Sequence, residues 1–187
     1  KNPRFEYQNP VPGAKIPTLL EVFALVRESP HAHAQKIGFN IETKIFPEQP
    51  EYTVGADEFS ALAVKAFHES GFLDRITLQS FDPRTLIAAK ALSPSLKTVM
   101  LIEDANANMF ELGKKVGAFA ISPDFSLISK DLVHALQAEG FKVIPWTLNI
   151  PREWAMAIDM GVDGIISDYP QALKRYLSAE GPKNIPL

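Results

Sequence analysis

IGFNIETKI, residues 37–45, is the stretch that decides the fold. From Ile37 to Thr43, apolar or β-branched side chains at every second position alternate with glycine or polar residues. This period of two predicts a β-strand with one face turned towards an apolar core. The polar stretch 46–56, which contains proline and glycine, predicts a loop, and residues 57–70 predict a helix that Asp57 caps and Gly71 ends.

The same alternation of strand and helix repeats along the chain. The further predicted strands are residues 75–80, 98–102, 118–122, 141–147 and 164–167. The further predicted helices, counted with their caps, are residues 18–28, 82–92, 107–116, 129–139 and 170–178, and one that runs from Asn149 or Ile150 to Gly161. Six strands, each followed by a helix over a short connection, imply parallel strands joined by right-handed crossovers.

The predicted fold class is therefore α/β, and the architecture is a (β/α)8 TIM barrel whose first two β/α units are missing from this chain. Residues 1–187 are predicted to form a single domain that contains the last six units, with the helix at 18–28 left over from the second unit. No glycine-rich loop follows the first strand, which argues against a dinucleotide-binding sheet. Because Lys1–Pro12 is polar and proline-rich and lacks an initiator Met, we expect the chain to be part of a longer or processed protein.

Composition excludes several classes of function. The 187 residues carry a net charge of −3, so no broad basic surface is present for nucleic acid. The absence of cysteine excludes disulfides, thiolate nucleophiles and cysteine zinc sites. No apolar run approaches the length of about 18 residues that a membrane span requires, so no transmembrane segment is expected.

In a parallel barrel the active site lies at the carboxyl ends of the strands, and two charged residues stand at the end of the first predicted strand. Glu42 and Lys44 are two positions apart, so their side chains point to one face, opposite to Ile41 and Thr43. Glu42 offers a hard oxygen ligand for Mg²⁺ or Ca²⁺, and Lys44 offers a positive charge for a phosphoryl oxygen. A plain Glu–Lys ion pair at the barrel rim explains the same spacing equally well.

Other strand ends offer weaker candidates. Gln79 or Ser80 can hydrogen-bond a ligand, although a hydroxyl that only shapes the next turn is the simpler explanation for Ser80. Trp146 can form an apolar wall or stack on a cationic head group, and a core tryptophan is the competing explanation. Asn149 follows the same strand and is a further candidate for substrate binding, whereas Asp168 is expected to cap the last helix.

None of the histidines is a convincing general base. They are His31, His33, His68 and His134. The first two fall in a loop ahead of the first predicted strand, which places them at the amino-terminal side of a barrel. The last two fall inside predicted outer helices. The chain therefore lacks a recognisable acid–base pair for phosphodiester cleavage, and it has no Ser-His-Asp arrangement.

Several motifs occur together in the order of a known family. They are IPTLLEV at 16–22, NIETK at 40–44, QSFD at 79–82, VIPWTLN at 143–149 and GVDGIISDYP at 161–170. In this combination the chain resembles the carboxyl-terminal part of the glycerophosphodiester phosphodiesterases, and the resemblance extends over nearly the whole chain. It assigns residues 1–187 to strands three to eight of a phosphodiesterase barrel.

The resemblance implies metal-dependent hydrolysis of a glycerophosphodiester to glycerol 3-phosphate and an alcohol. Glu42 matches one of three carboxylates that hold a divalent cation, Mg²⁺ or Ca²⁺. Lys44 matches a residue beside the phosphate, and Trp146 matches an aromatic residue that lines the pocket. Gln79 and Asn149 lie in the matching motifs and complete the set predicted to bind substrate.

The departure from the family pattern is large. The family's His-Arg-Gly, Pro-Glu-Asn-Thr, Glu-x-Asp and His-Asp motifs do not occur in this sequence, so both catalytic histidines and two metal carboxylates are expected on an absent amino-terminal segment. A degenerate, non-catalytic module that binds a ligand or partner is the alternative, and a phospholipase D-like lyase ranks below it. The long loop after Lys44 is similar to that of extracytoplasmic members, which favours a periplasmic or secreted location over the bacterial cytoplasm.

Overall fold

A computed structural model describes residues 9–179 of the chain. Most of the polar, proline-rich stretch Lys1–Pro12 lies outside those residues. The chain divides into two compact units, Lys1–Ile37 and Gly38–Leu187. The prediction of a single domain for residues 1–187 stays a prediction.

The described residues of the first unit include the helix α1 (Leu19–Glu28), which begins after Thr18 as predicted and has a capping box formed by Thr18 and Glu21. The Thr18 hydroxyl accepts from the Glu21 amide at 3.3 Å, and the Glu21 carboxylate accepts from the Thr18 amide at 2.7 Å. Each residue thereby satisfies an amide that the first helical turn leaves without a partner. A short 3-10 helix at Ala32–Gln35 follows, and the His33 amide donates to His31 Nδ1.

The second unit is a parallel sheet with helices on one face. Its strands are β1 (Phe39–Thr43), β2 (Ile76–Ser80), β3 (Lys97–Ile102), β4 (Ala120–Pro123) and β5 (Lys142–Val143), and they are neighbours in that order. Its helices are α2 (Ala56–Ser70), α3 (Pro83–Leu92), α4 (Met109–Val116), α5 (Lys130–Ala138), α6 (Pro151–Met160) and α7 (Pro170–Ala179). Sequential strands that are all parallel confirm the predicted β-α alternation.

The register of the strands separates two faces of the sheet. Thr43 is paired with Ser80, and Ser80 with Met100, so these side chains lie on one face. The Thr43 hydroxyl lies 3.0 Å from the hydroxyl of Thr85 on α3, which identifies that face as the one covered by helices. As predicted, Glu42 lies on the opposite face, because neighbouring residues in a strand alternate.

Most predicted helix starts are confirmed, and one is wrong. Asp82 caps α3 with Pro83 at the first helical position, and Ser129 caps α5. Asp57 does not cap α2, which begins at Ala56 with Gly55 as its N-cap. Asp57 lies in the first turn instead, where its negative charge still faces the positive end of the helix dipole.

The prediction of a sixth strand at 164–167 is also wrong, because the described residues form a sheet of five strands. The segment nevertheless lies beside β5: the Ile166 amide donates to the Pro145 carbonyl, and the Leu148 amide donates to the Ile166 carbonyl. Pro145 has no amide hydrogen to donate to this segment, which leaves a gap in the pairing on that side of the chain. The predicted strand 141–147 is shortened to β5. None of the helices between residues 9 and 179 is both long and apolar enough to cross a membrane.

Candidate functional site

Glu42 and Lys44 lie at the carboxyl end of β1 and form an ion pair. The Lys44 ammonium is 3.3 Å from Glu42 Oε1, and the two side chains are 60% and 33% exposed respectively. Both therefore remain accessible to a ligand from solvent. The pairing agrees with the rim ion pair that the sequence left open, and it leaves the second carboxylate oxygen of Glu42 for another partner.

That second partner is Gln79, which is paired with Glu42 in the register between β1 and β2. The Gln79 amide nitrogen donates to Glu42 Oε2 at 3.3 Å, and its oxygen accepts from Asn40 Nδ2 at 2.6 Å. Thr77 Oγ1 in turn donates to Asn40 Oδ1 at 2.9 Å. The Gln79 side chain is buried. The buried Gln79 side chain therefore orients the Glu42 carboxylate from the sheet side, while Lys44 contacts the same carboxylate from the solvent side.

An aromatic pair lies on the other side of Lys44. The Lys44 ammonium is 5.8 Å from the centre of the Phe81 ring, and the Phe81 and Trp146 rings meet edge to face at 5.5 Å. Both aromatic residues are half-buried. The Trp146 indole nitrogen donates to the Ser122 carbonyl at 2.9 Å, which fixes the ring over the end of β4. Trp146 is thus brought together with Lys44 through Phe81.

Sequence reasoning did not single out Phe81, although a signal for it exists. Phe81 follows Gln79 by two positions, so an extended chain turns both side chains to one face. The residue between them, Ser80, points to the helix face, donates to the Thr43 carbonyl and accepts from the Asp82 amide. This geometry agrees with the turn-shaping role expected for Ser80.

Asp82 turns away from the site towards Arg84. Three guanidinium hydrogen bonds from Arg84, at 3.0, 3.2 and 2.6 Å, hold the pKa of the Asp82 carboxyl below its ordinary value against the opposing effect of burial. Since that carboxylate also caps α3, its charge is committed to the start of the helix.

Asn149 belongs to a separate group of polar contacts. Its side-chain oxygen accepts from the Asp168 amide at 2.9 Å and from Ser167 Oγ at 3.2 Å, and its nitrogen donates to Asp168 Oδ2 at 2.9 Å. Its backbone amide donates to Glu153 Oε2 at 2.8 Å. Asn149 therefore joins the loop after β5 to the segment that leads into α7.

The residues between 9 and 179 contain no group of three or more His, Cys, Asp or Glu side chains that could hold a metal ion. Glu42 is accessible and has the right chemistry for a hard divalent cation, and a cation held there would need further oxygen ligands besides this one carboxylate. The two histidines predicted to lie in outer helices are in α2 and α5, as expected.

Comparison with known proteins gives a consistent result. A model described as the Glycerophosphoryl diester phosphodiesterase family matches residues 2–172. A protein named glycerophosphodiester phosphodiesterase from Caldanaerobacter subterraneus is 30% identical over 165 residues, which cover 86% of this chain and 61% of that protein. A protein of the same name from Bacillus subtilis is 28% identical over 84% of this chain and 53% of its own length. The chain thus spans less than two thirds of the length of these relatives.

The fold agrees with solved structures. A putative glycerophosphoryl diester phosphodiesterase from Silicibacter pomeroyi superposes with a TM-score of 0.77 at 23% identity, covering 88% of this chain and 57% of the other. Such relatives are (β/α)8 barrels. The α/β class with a parallel sheet is therefore confirmed, whereas the loss of the first two units stays a prediction.

Proposed function

Because the chain belongs to the glycerophosphoryl diester phosphodiesterase family, we propose that it is the carboxyl-terminal part of a metal-dependent hydrolase. The proposed reaction cleaves a glycerophosphodiester to glycerol 3-phosphate and an alcohol. The observation that supports the proposal most directly is the Glu42–Lys44 pair, with its 3.3 Å contact at the carboxyl end of β1. The negative charge of Glu42 suits a divalent cation, and the positive charge of Lys44 suits the phosphate of the substrate.

Each member of the pair has a defined task in this proposal. Glu42 provides one oxygen ligand to Mg²⁺ or Ca²⁺. Lys44 binds a phosphoryl oxygen, whose negative charge it stabilises as the bond to the alcohol breaks. Gln79 holds the carboxylate of Glu42 in place and contributes an amide at the floor of the site.

Trp146 and Asn149 complete the proposed substrate-binding set. Trp146 offers a half-buried ring to the substrate beside Lys44. Asn149 already makes three side-chain hydrogen bonds, so contact with a substrate requires it to exchange one of them. We assign the acid–base pair and the remaining metal ligands to a segment outside residues 1–187, which agrees with the 61% of the Caldanaerobacter protein that the chain covers.

One observation favours a second candidate function. The lack of a cluster of three metal-binding side chains between residues 9 and 179 suits a non-catalytic module that binds a ligand or a partner. The two candidates differ in whether further residues accompany the chain, and this can be measured directly.

The first experiment determines the intact mass of the protein purified from its natural source, with amino-terminal sequencing of every chain present. The hydrolase proposal expects an additional segment of roughly 50–80 residues, about two β/α units of a ~250-residue barrel. If the purified protein consists of residues 1–187 alone and releases no glycerol 3-phosphate from glycerophosphodiesters, the non-catalytic module is the better account.

The second experiment replaces Glu42 by Gln in the full-length protein. A neutral ligand binds a divalent cation poorly, so at limiting metal we expect turnover to fall by roughly 100-fold or more, and excess metal to restore part of it. The release of glycerol 3-phosphate is measured over a series of Mg²⁺ and Ca²⁺ concentrations. Glu69→Gln, which removes the carboxylate of an exposed ion pair on α2, is the matched control and should have no effect. Equal metal dependence in wild type and Glu42→Gln would remove Glu42 from the site.

A further inference from the structure

We propose that Phe81 is a specificity-determining residue, which with Trp146 forms an aromatic wall that accepts a neutral, apolar alcohol group and disfavours a cationic one. The inference rests on the proposed function and names the class of substrate that the site prefers. It starts from two contacts: Lys44 Nζ lies 5.8 Å from the centre of the Phe81 ring, and Phe81 meets Trp146 at 5.5 Å.

The aromatic wall is held in a fixed orientation. Phe81 and Trp146 are at right angles, which is a favoured arrangement for an aromatic pair. The Trp146 indole nitrogen donates to the Ser122 carbonyl at 2.9 Å, so the indole cannot turn its polar edge towards a ligand. The surface that the wall offers is therefore apolar.

The wall also remains partly accessible. Phe81 and Trp146 are half-buried, whereas Leu78 and Ile121, on the helix face of the same sheet, are completely buried. A large aromatic side chain that is only half-buried can lose more water on binding a ligand. Since Lys44 is the proposed phosphate contact, a group attached to that phosphate can extend from Lys44 along the wall.

Charge decides which group the wall prefers. The Lys44 ammonium already occupies a position 5.8 Å from the centre of the Phe81 ring, within the range of a cation–π contact. A second cation, such as the quaternary ammonium of choline, would stand near the same ring and meet the charge of Lys44. Repulsion of this kind is a common way of rejecting a competing ligand. A neutral alkyl group has no such penalty.

The test compares two glycerophosphodiesters in the full-length protein, one with n-butanol and one with choline as the alcohol. We expect wild type to prefer the butyl ester by at least about tenfold in kcat/KM. We expect Phe81→Ala to lower kcat/KM for the butyl ester by about tenfold, within the roughly 10- to 200-fold range known for the loss of apolar contact, and to affect the choline ester little. Phe81→Leu should keep most of the preference.

Phe119→Ala is the matched control. The Lys97 ammonium lies 5.0 Å from the centre of the Phe119 ring, which repeats the Lys44–Phe81 arrangement at the amino-terminal ends of β3 and β4. It should leave both esters unchanged. A wild-type preference for choline, or equal losses on both esters in Phe81→Ala and Phe81→Leu, would overturn the inference while the hydrolase proposal stands. If wild type cleaves neither ester, the proposed function fails, and the inference fails with it.

Discussion

Lys44 lies between a carboxylate and an aromatic ring, and both contacts affect how its charge is used. Its ammonium is 3.3 Å from Glu42 Oε1 and 5.8 Å from the centre of Phe81. The side chain is 60% exposed, so the ion pair itself adds little to stability. We therefore expect Lys44 to affect ligand binding and turnover more than the stability of the fold.

Lys44→Ala in the full-length protein tests this expectation. If the contact of Lys44 with the phosphoryl group tightens as the bond breaks, kcat falls more than KM rises, and a loss of roughly 100- to 1000-fold in kcat is typical for one such donor. Steady-state kinetics separates the two parameters. Lys65→Ala, which removes an exposed lysine of an ion pair on α2, is the control and should behave as wild type. A change in KM alone would make Lys44 a simple binding residue.

At this scale the sequence predicted the charged residues of the candidate site and missed Phe81, the ring that lies between Lys44 and Trp146. Glu42 and Lys44 were predictable because strand alternation turns both to one face, and the structure places them there. Phe81 was missed because an aromatic residue after a strand resembles a core residue in sequence. Its role depends on its distances to Lys44 and Trp146. The distance between Phe81 and Trp146 cannot be predicted from their spacing along the chain, because they lie on different segments.

Among the structural elements, β5 and the segment after α6 are joined by one carboxylate. Asp163 Oδ2 accepts from the Val143 amide and from Gln137 Nε2, both at 2.9 Å, and Asp163 Oδ1 lies 2.8 Å from Lys142 Nζ. Partial burial opposes ionisation of this carboxyl, but the hydrogen bonds from Lys142, Gln137 and the Val143 amide outweigh it, so its pKa is lowered. The charged form therefore stabilises the folded state.

The pH dependence of Asp163→Asn follows from the direction of that shift. A lowered pKa in the folded state gives stability that is fully present above the unfolded pKa of about 3.9 and is lost as pH falls through the folded value. At pH 7 we expect Asp163→Asn to lower the free energy of unfolding by about 1–3 kcal/mol. The difference from wild type should shrink as pH falls below about 4.

Urea unfolding at a series of pH values measures this difference. Asp159→Asn is the control, because Asp159 is 78% exposed and its pair with Lys130 is a surface contact. Its effect at pH 7 should stay within about 0.5 kcal/mol. A pH-independent loss of stability in Asp163→Asn would show that the amide disturbs packing and that charge is not the cause.

Helix ends were easier to predict than strand ends. Asp82 and Ser129 cap their helices as expected, because a capping side chain and its helix are neighbours in sequence. A strand ends where the neighbouring strand stops pairing with it. The sequence near Pro145 does not reveal which backbone carbonyls of other segments lie opposite residues 144–148. The missing amide of Pro145 is visible in the sequence, but its effect on the predicted strand 164–167 depends on pairing in space.

At the scale of the whole molecule, the position of β1 in the sheet is the main feature. Within the part of the chain that the structure describes, β1 pairs with β2 along one side and is the first strand in the sheet order. No strand of the described residues pairs with its other side, so β1 is an edge strand of that five-stranded sheet. The order of the strands followed from β-α alternation in the sequence, whereas the curvature that closes a barrel depends on strand stagger, which the sequence does not reveal.

Hydrogen exchange tests whether that edge is covered. In a preparation of residues 1–187 alone, we expect amides of residues 40–43 in β1 to exchange at least about tenfold faster than those of Lys97–Ile102, which has a neighbouring strand on each side. In the full-length protein the difference should decrease. Mass spectrometry of peptides from the two strands measures both states. Equal protection of β1 and β3 in the short preparation would mean that β1 is already covered there.

Glu42 lies on β1, so the strand that forms the edge of the sheet also carries a residue of the candidate site. A strand that pairs with this edge lies about 4.8 Å away and presents every second side chain on the same face as Asn40 and Glu42. Residues added in that way arrive beside the ion pair without any rearrangement of the strands already present. In the proposed hydrolase, pairing of a further strand with β1 and completion of the active site are then a single assembly step, and the rate of turnover would measure the fraction of protein that has assembled.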